Sequence, residues 1–166
     1  MKTAATILTV LGLASAANAG GTPLDGLSIG TITGGSSTSG DTSGSSDDMN
    51  AGSIGGGGSW SGGDDVYTLN WAGGDLVADL LFTTTAGDLD LFMFDAGAGF
   101  MTSSETTSDN EQISITGLAA GTYYFSIDGW FGATNSYKLA LNGVPTPASA
   151  ALLGLGGVVA TRRRRA

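Results

Sequence analysis

From Asp65 onward, apolar and polar residues alternate along the chain, and short turn-forming stretches separate the alternating runs. A period of two predicts half-buried antiparallel strands, and the 3.6-residue period of a helix is missing. The predicted strands cover residues 67–71, 76–82, 89–94, 112–116, 123–127 and 137–141. The turn at 72–75 predicts that the first two strands pair as a hairpin, and the run 89–94 is apolar on both faces.

Residues 20–63 are dominated by Gly, Ser and Thr and contain few aliphatic residues, which predicts a largely loose segment. Within it, residues 27–32 alternate and predict an edge strand. Seven or eight short strands favour an all-β fold, an antiparallel β-sandwich of jelly-roll or immunoglobulin-like type, with a barrel as the alternative. The predicted sandwich core covers residues 64–143, and residues 20–63 contribute its first strand or strands.

The N-terminus has the three features of a secretory signal peptide. Lys2 is followed by an apolar run over residues 4–14 and then by the small-x-small sequence Ala17-Asn18-Ala19. We therefore predict a signal peptide over residues 1–19 with cleavage after Ala19. The apolar run is shorter than the roughly 20 residues that a spanning helix needs.

Residues 144–166 form a second processing segment with three parts: Pro145-Thr146-Pro147, an apolar stretch over 148–160, and the basic cluster Arg162, Arg163, Arg164 and Arg165. Positive charge stays on the cytoplasmic side, so the arginines predict a stop that leaves the body of the protein outside. A helix over residues 147–161 would be about 22 Å long, which makes it a marginal anchor for a core of roughly 30 Å.

This three-part order resembles the PEP-CTERM sorting signal, in which Glu usually occupies the position of Thr146. The resemblance implies a C-terminal hydrophobic helix that enters the membrane before processing. It also implies recognition by an exosortase-like membrane protease. A nucleic-acid-binding tail is the weaker alternative, because four arginines without aromatic neighbours make a poor binding surface.

Composition narrows the chemistry. The chain has no Cys and no His, which excludes disulfides, thiolate nucleophiles, imidazole bases and the usual zinc sites. Residues 20–160 contain all 15 acidic residues but a single base, Lys138. So acidic a body repels nucleic acid and attracts divalent cations or basic polymers, and we expect no nucleic-acid partner.

A second resemblance covers most of the predicted sandwich. The motifs that carry it are the segments 65–67, 72–75, 87–91 (Gly-Asp-Leu-Asp-Leu), 110–111, 120–124 (Ala-Gly-Thr-Tyr-Tyr) and 136–139. In this order they resemble the bacterial pre-peptidase C-terminal domain. The resemblance implies a β-sandwich that serves secreted proteases as a carrier or adhesion module, with relatives in collagenases that bind collagen and calcium.

Four aspartates are candidate calcium ligands. Asp47, Asp48, Asp64 and Asp65 supply hard oxygen donors on either side of a glycine run, and Ca²⁺ takes six to eight such oxygens. The alternative is that these residues keep turns soluble.

Two further pairs of residues are candidates for a function. Trp130 and Phe131 lie in a predicted loop, where they either bind a polymer or fold back over the end of the sandwich. Asp88 and Asp90 share one face of a predicted strand, and the expected role there is capping of the turn at Gly87. Because no cleft is predicted beside this pair, we do not expect catalysis there, and because His, Cys and any catalytic motif are missing, we do not expect an enzyme.

The sequence thus predicts an exported structural or adhesive β-sandwich of the cell surface or extracellular matrix, sorted through its tail. The alternative is a secreted module that binds an exopolysaccharide or a protein, with calcium as a candidate cofactor.

Overall fold

The computed structural model describes residues 23–145, and this part of the chain is all-β. Its strands are β1 (Ser28–Ile32), β2 (Ser37–Asp41), β3 (Met49–Asn50), β4 (Ser53–Ile54), β5 (Asp65–Trp71), β6 (Gly74–Leu81), β7 (Leu89–Phe94), β8 (Phe100–Ser104), β9 (Glu111–Leu118), β10 (Gly121–Gly129) and β11 (Ser136–Pro145). Two short 3₁₀ helices cover Pro23–Gly26 and Thr42–Gly44. The predicted signal peptide and the predicted C-terminal helix lie outside the described residues.

The strands form two main sheets and a small ribbon. The first sheet has the order β1-β5-β10-β7-β8, the second has the order β2-β11-β6-β9, and β3 pairs with β4. All six strands predicted after Asp65 are present, and β1 is an edge strand, as its alternation predicts. The prediction of a fully antiparallel sandwich is wrong at this edge, because β1 runs parallel to β5.

The predicted hairpin of β5 and β6 is wrong. The two strands lie in different sheets, where β5 pairs with β1 and β10 while β6 pairs with β9 and β11. Gly73 and Gly74 have φ angles of 91° and 118°, a region open to glycine, and they carry the chain from one sheet to the other. An alternating strand buries one face in either arrangement, so periodicity alone does not separate a hairpin from a crossing between sheets.

The main core lies between the two sheets. Its side chains come from the inward faces of both, and they include Leu69, Leu91 and Phe125 from the first sheet and Leu80 and Leu139 from the second. Alternate residues of a strand point to opposite faces, which is why every second position of these strands is buried here.

The outer face of the first sheet is buried as well, under the segment that composition predicted to be loose. Leu24 and Met49 from this segment pack with Val66, Phe92, Phe94 and Tyr124 of the sheet in a second apolar cluster. That covering layer explains why all six residues of β7 are buried. The expectation of a loose segment is therefore wrong for residues 23–63, because a few apolar anchors suffice to hold it.

A chain of buried hydrogen bonds links the two sheets at one end of the core. The Tyr137 hydroxyl on β11 donates to the Asp65 carboxylate on β5, and the Tyr67 hydroxyl lies 2.8 Å from that of Tyr137. Ser45 donates to the other Asp65 oxygen at 2.6 Å. A Cβ atom at Gly40 would lie 2.3 Å from the Tyr137 hydroxyl, so glycine makes room for this group.

Replacing Tyr137 with Phe removes a donor from a carboxylate that is only 3% exposed. We expect Y137F to lower the free energy of unfolding by about 1.5–3 kcal/mol, the range for a hydrogen bond to a charged group. Urea denaturation measures the change. Y123F is the matched control, because the Tyr123 hydroxyl donates to the neutral carbonyl of Ala119, and its loss should cost about 1 kcal/mol. Equal losses in the two variants would contradict the role given to Asp65.

Candidate functional site

Three buried carboxyl groups lie side by side across the outer face of the first sheet. Asp128 on β10 stands directly opposite Asp90 on β7. On its other side, the pairing of Ile127 with Asp65 brings Asp128 next to Asp64. Asp64, Asp128 and Asp90 are 7%, 0% and 3% exposed, respectively. We call these three residues the aspartate row.

Burial is the main cause that raises the pKa of each member of the row, since a carboxylate without water or a cation is costly. The pKa of Asp90 rises to about 7. Both carboxyl oxygens of Asp128 are buried without a hydrogen-bond partner among the described residues, and the neighbouring Asp64 raises the pKa of Asp128 further. Lys138, the one base among residues 23–145, lies on β11 of the other sheet.

A cavity of about 240 Å³ opens beside Asp90, at the end of the row. Its lining consists of two indole rings, three carboxyl groups and two threonines: Trp60, Trp130, Asp88, Asp90, Glu105, Thr106 and Thr107. We call this cavity the tryptophan pocket. It corrects the expectation that no cleft lies beside Asp88 and Asp90.

The two tryptophans are positioned by backbone pairing between the covering layer and the end of β10. Trp60 and Trp130 form an antiparallel bridge, and their rings meet edge to face with centroids 4.5 Å apart. The Trp60 indole N–H donates to the Asp90 carboxyl group. Nearby, the backbone N–H of Gly62 donates to the carbonyl of Gly129 at 3.0 Å. A Cβ atom at Gly129 would lie 1.9 Å from the carbonyl oxygen of Ala133, so only glycine permits this approach.

The third wall of the pocket is the loop that follows β8. Glu111, 2% exposed, accepts hydrogen bonds from the backbone N–H of Thr106 at 2.9 Å and from its hydroxyl at 2.7 Å. It also accepts from the hydroxyl of Ser104. These bonds hold Glu105, Thr106 and Thr107 at the pocket, with Glu105 exposed to solvent.

Asp88 does not cap the turn at Gly87 as predicted. That turn is held by Asn135, whose amide donates to the carbonyls of Thr83 and Gly87, and by Asp109, which accepts from Thr84. The Asp88 Oδ1 atom is buried without a hydrogen-bond partner in the described part of the chain. Burial raises the pKa of this carboxyl group too.

Of the two aromatic residues singled out from the sequence, Trp130 lines the pocket while Phe131 stands 72% exposed beside it. Trp60, Glu105 and the threonines were missed. Trp60 lies in the glycine-rich segment, and its presence there as a lone indole was the sequence feature that could have indicated a functional role. Glu105 follows β8, whose sequence Phe-Met-Thr-Ser-Ser lacks alternation.

Three of the four candidate calcium ligands, Asp47, Asp64 and Asp65, accept hydrogen bonds from backbone or hydroxyl donors. Asp47 accepts from the N–H of Gly57, and one oxygen of Asp64 accepts from the N–H groups of Asp48 and Met49, each at 2.6 Å. Asp65 serves the link between sheets. Within residues 23–145, no three acidic side chains are grouped as a metal site, and calcium binding stays a prediction.

The sorting motif falls at the edge of the described chain. The backbone of Pro145 pairs with Gly74 and ends β11. Thr146, Pro147, the four arginines and the cleavage residues Ala17 and Ala19 lie outside the described residues. Across residues 23–145, no helix is long and apolar enough to span a bilayer.

Solved structures similar to this chain include a domain of a collagenase. The pre-peptidase C-terminal domain of a collagenase from Bacillus anthracis shares 14% identity with this chain, at a TM-score of 0.49. The match covers 69% of this chain and 95% of that domain. No family profile matches the sequence, and no curated protein matches it significantly. A likeness of this strength assigns neither a ligand nor an activity.

The aspartate row predicts that stability falls as pH rises. A folded-state pKa above the unfolded value of 3.8 means that the folded protein holds protons which the unfolded chain releases, so stability declines from about pH 4 upward. Replacing Asp128 with Asn removes this penalty. At pH 8, we expect the free energy of unfolding of D128N, measured by urea denaturation, to exceed that of the parent by about 1–3 kcal/mol. At pH 4, we expect the two free energies to differ little.

D109N is the control with the opposite sign. Hydrogen bonds from Thr84 lower the pKa of Asp109, so its stabilising effect is present at pH 8 and is lost as pH falls below about 4. D109N should therefore be less stable than the parent at pH 8. A D128N variant that is also less stable at pH 8 would contradict the protonated row and would point to an ionised Asp128 held by a cation.

Proposed function

We propose that this chain is an exported β-sandwich protein of the cell surface or extracellular matrix that adheres to a surface polysaccharide through the tryptophan pocket. The observation that carries the proposal is the pocket lining, in which Trp60 and Trp130 stand beside Asp88, Asp90 and Glu105. Indole rings supply broad apolar faces, and carboxyl and hydroxyl groups supply directed hydrogen bonds. Sugar rings present matching apolar faces and hydroxyl groups.

The size of the pocket supports a polymer ligand. At about 240 Å³ it is smaller than the roughly 300–1,000 Å³ of pockets that enclose a drug-sized ligand. A pocket of this volume takes one ring of a longer chain, while the rest of that chain lies on the surface. Phe131, exposed beside Trp130, extends the apolar surface in the same region.

The pocket binds its ligand without catalysing a reaction. The chain has no His or Cys, and the Asp90 carboxyl group already accepts a hydrogen bond from Trp60. Glu105 is exposed on a polar loop, and Asp88 has one buried oxygen without a hydrogen-bond partner among the described residues. A protein ligand in place of a polysaccharide is the second candidate, favoured by the exposed ring of Phe131.

Export and sorting complete the proposal. The signal peptide ending at Ala19 directs secretion, and Pro145-Thr146-Pro147 with the arginines at 162–165 directs the protein to an exosortase-like membrane protease. The apolar tail holds the precursor in the membrane until that protease acts.

Intact-mass analysis of protein from the cell envelope and from the medium tests the processing. We expect a species that starts at Gly20 and lacks the residues after about Pro147. A species that retains Arg162–165 in the membrane fraction would instead mean a simple anchored protein without processing of the tail.

Sedimentation with insoluble polysaccharides tests the adhesion. We expect the protein to bind at least one of cellulose, chitin, chitosan and a β-1,3-glucan, and W130A to reduce the bound fraction at least fivefold. F100A is the matched control, because Phe100 is an exposed ring at the far end of β8. Equal losses in both variants, or no binding to any of the four polymers, would overturn adhesion through the pocket.

A further inference from the structure

We propose that the tryptophan pocket selects a protonated amino sugar, the 2-amino-2-deoxyhexose unit of a cationic polysaccharide, with the indoles against the sugar ring and the carboxyl groups on its ammonium. The inference rests on the proposed function and names its ligand class. Three observations support it: the acidic lining of the pocket, the carboxyl oxygen without a hydrogen-bond partner, and the presence of two indole rings beside the carboxyl groups.

The acidic lining of the pocket favours a cationic ligand. Asp88, Asp90 and Glu105 line the cavity, and Glu111 lies behind the loop that carries Glu105. No Lys or Arg lines the pocket, and the one base in residues 23–145 lies on the opposite sheet. An ammonium group has three donors and matches several acceptors at once. One of those acceptors, Asp88 Oδ1, is buried and has no partner among the described residues.

The cation is an organic one. A calcium ion needs six to eight oxygen ligands, and residues 23–145 hold no group of three acidic side chains arranged for a metal. An ammonium group tolerates a lining in which aromatic rings replace some of the oxygens, because the face of an indole attracts positive charge. Trp60 and Trp130, with ring centroids 4.5 Å apart, supply such a lining.

The indoles also favour a sugar over a lysine side chain. A lysine ammonium on its flexible stem uses the charge but leaves most of the cavity of about 240 Å³ unfilled. A hexose ring carrying the same ammonium fills that volume and packs its apolar face on indole. Its hydroxyl groups face Thr107, which lines the pocket beside Thr106, whose own hydroxyl donates to Glu111. A neutral sugar would leave the carboxyl group of Glu105, which is exposed and lies outside the aspartate row, without a counter-charge.

Calorimetric titration of the purified full-length protein at pH 6 tests the inference. The probes are the β-1,4-linked glucosamine hexasaccharide, its fully N-acetylated counterpart, cellohexaose and hexalysine. We expect saturable binding of the glucosamine hexamer, at least tenfold tighter than that of the other three. D88N and E105Q should each weaken it at least tenfold. D75N is the matched control, because Asp75 is an exposed carboxylate on β6 of the other sheet, and it should bind as the parent does.

The four probes separate the alternatives. Equal binding of the acetylated hexamer or cellohexaose would overturn recognition of the ammonium while leaving adhesion to polysaccharide in place. Hexalysine binding as tight as that of the glucosamine hexamer would assign the pocket to a basic protein and overturn the sugar. Binding that D75N weakens as much as D88N would reflect net charge alone and would also overturn the site. No binding of the glucosamine hexamer would end the inference, whatever the sedimentation with insoluble polymers shows.

Discussion

The structure depends on how buried carboxyl groups are accommodated where Lys138 is the one base among residues 23–145. Asp64, Asp65, Asp90, Glu111 and Asp128 are all at most 7% exposed. A buried charge without a partner costs several kcal/mol. The protein meets this constraint in two ways: neutral donors converge on Asp65 and Glu111, and burial raises the pKa of each member of the aspartate row, which favours its protonated form.

Each satisfied carboxyl group also performs a structural task. Asp65 joins the two sheets through Tyr137, and Glu111 holds the loop after β8. Asp64 receives two backbone N–H groups from the covering layer and so fixes Met49 in the second apolar cluster. The walls of the tryptophan pocket are the covering layer, the end of β10 and the loop after β8. The pocket therefore lies between elements that these carboxyl groups help to hold in place. Its acidity comes from Asp88, Asp90 and Glu105.

Alternation was sufficient to predict the strands after Asp65, because each buries one face and the period of two records that burial directly. It was insufficient for their arrangement. Whether β5 and β6 pair depends on Gly73 and Gly74, and a glycine pair permits a tight turn and a crossing between sheets equally well. The pocket was less predictable still. It requires the register that sets Asp128 opposite Asp90, and it requires Trp60 from a segment whose composition predicts no order. Asp88, Asp90 and Trp130 were identified as residues but not as neighbours.

The direction of the strands determines how a pulling force on the C-terminus acts on the sandwich. Asp88 and Trp130 stand at one end of the sandwich, beside the first residue of β7 and the last of β10. Pro145 leaves at the other end, where it pairs with Gly74 next to the crossing from Trp71. A tether at the C-terminus therefore turns the pocket away from its point of attachment. If the protein is tethered and captures a polymer as proposed, tension runs along the strands and loads the ladder between β6 and β11 in shear, so that its hydrogen bonds share the force.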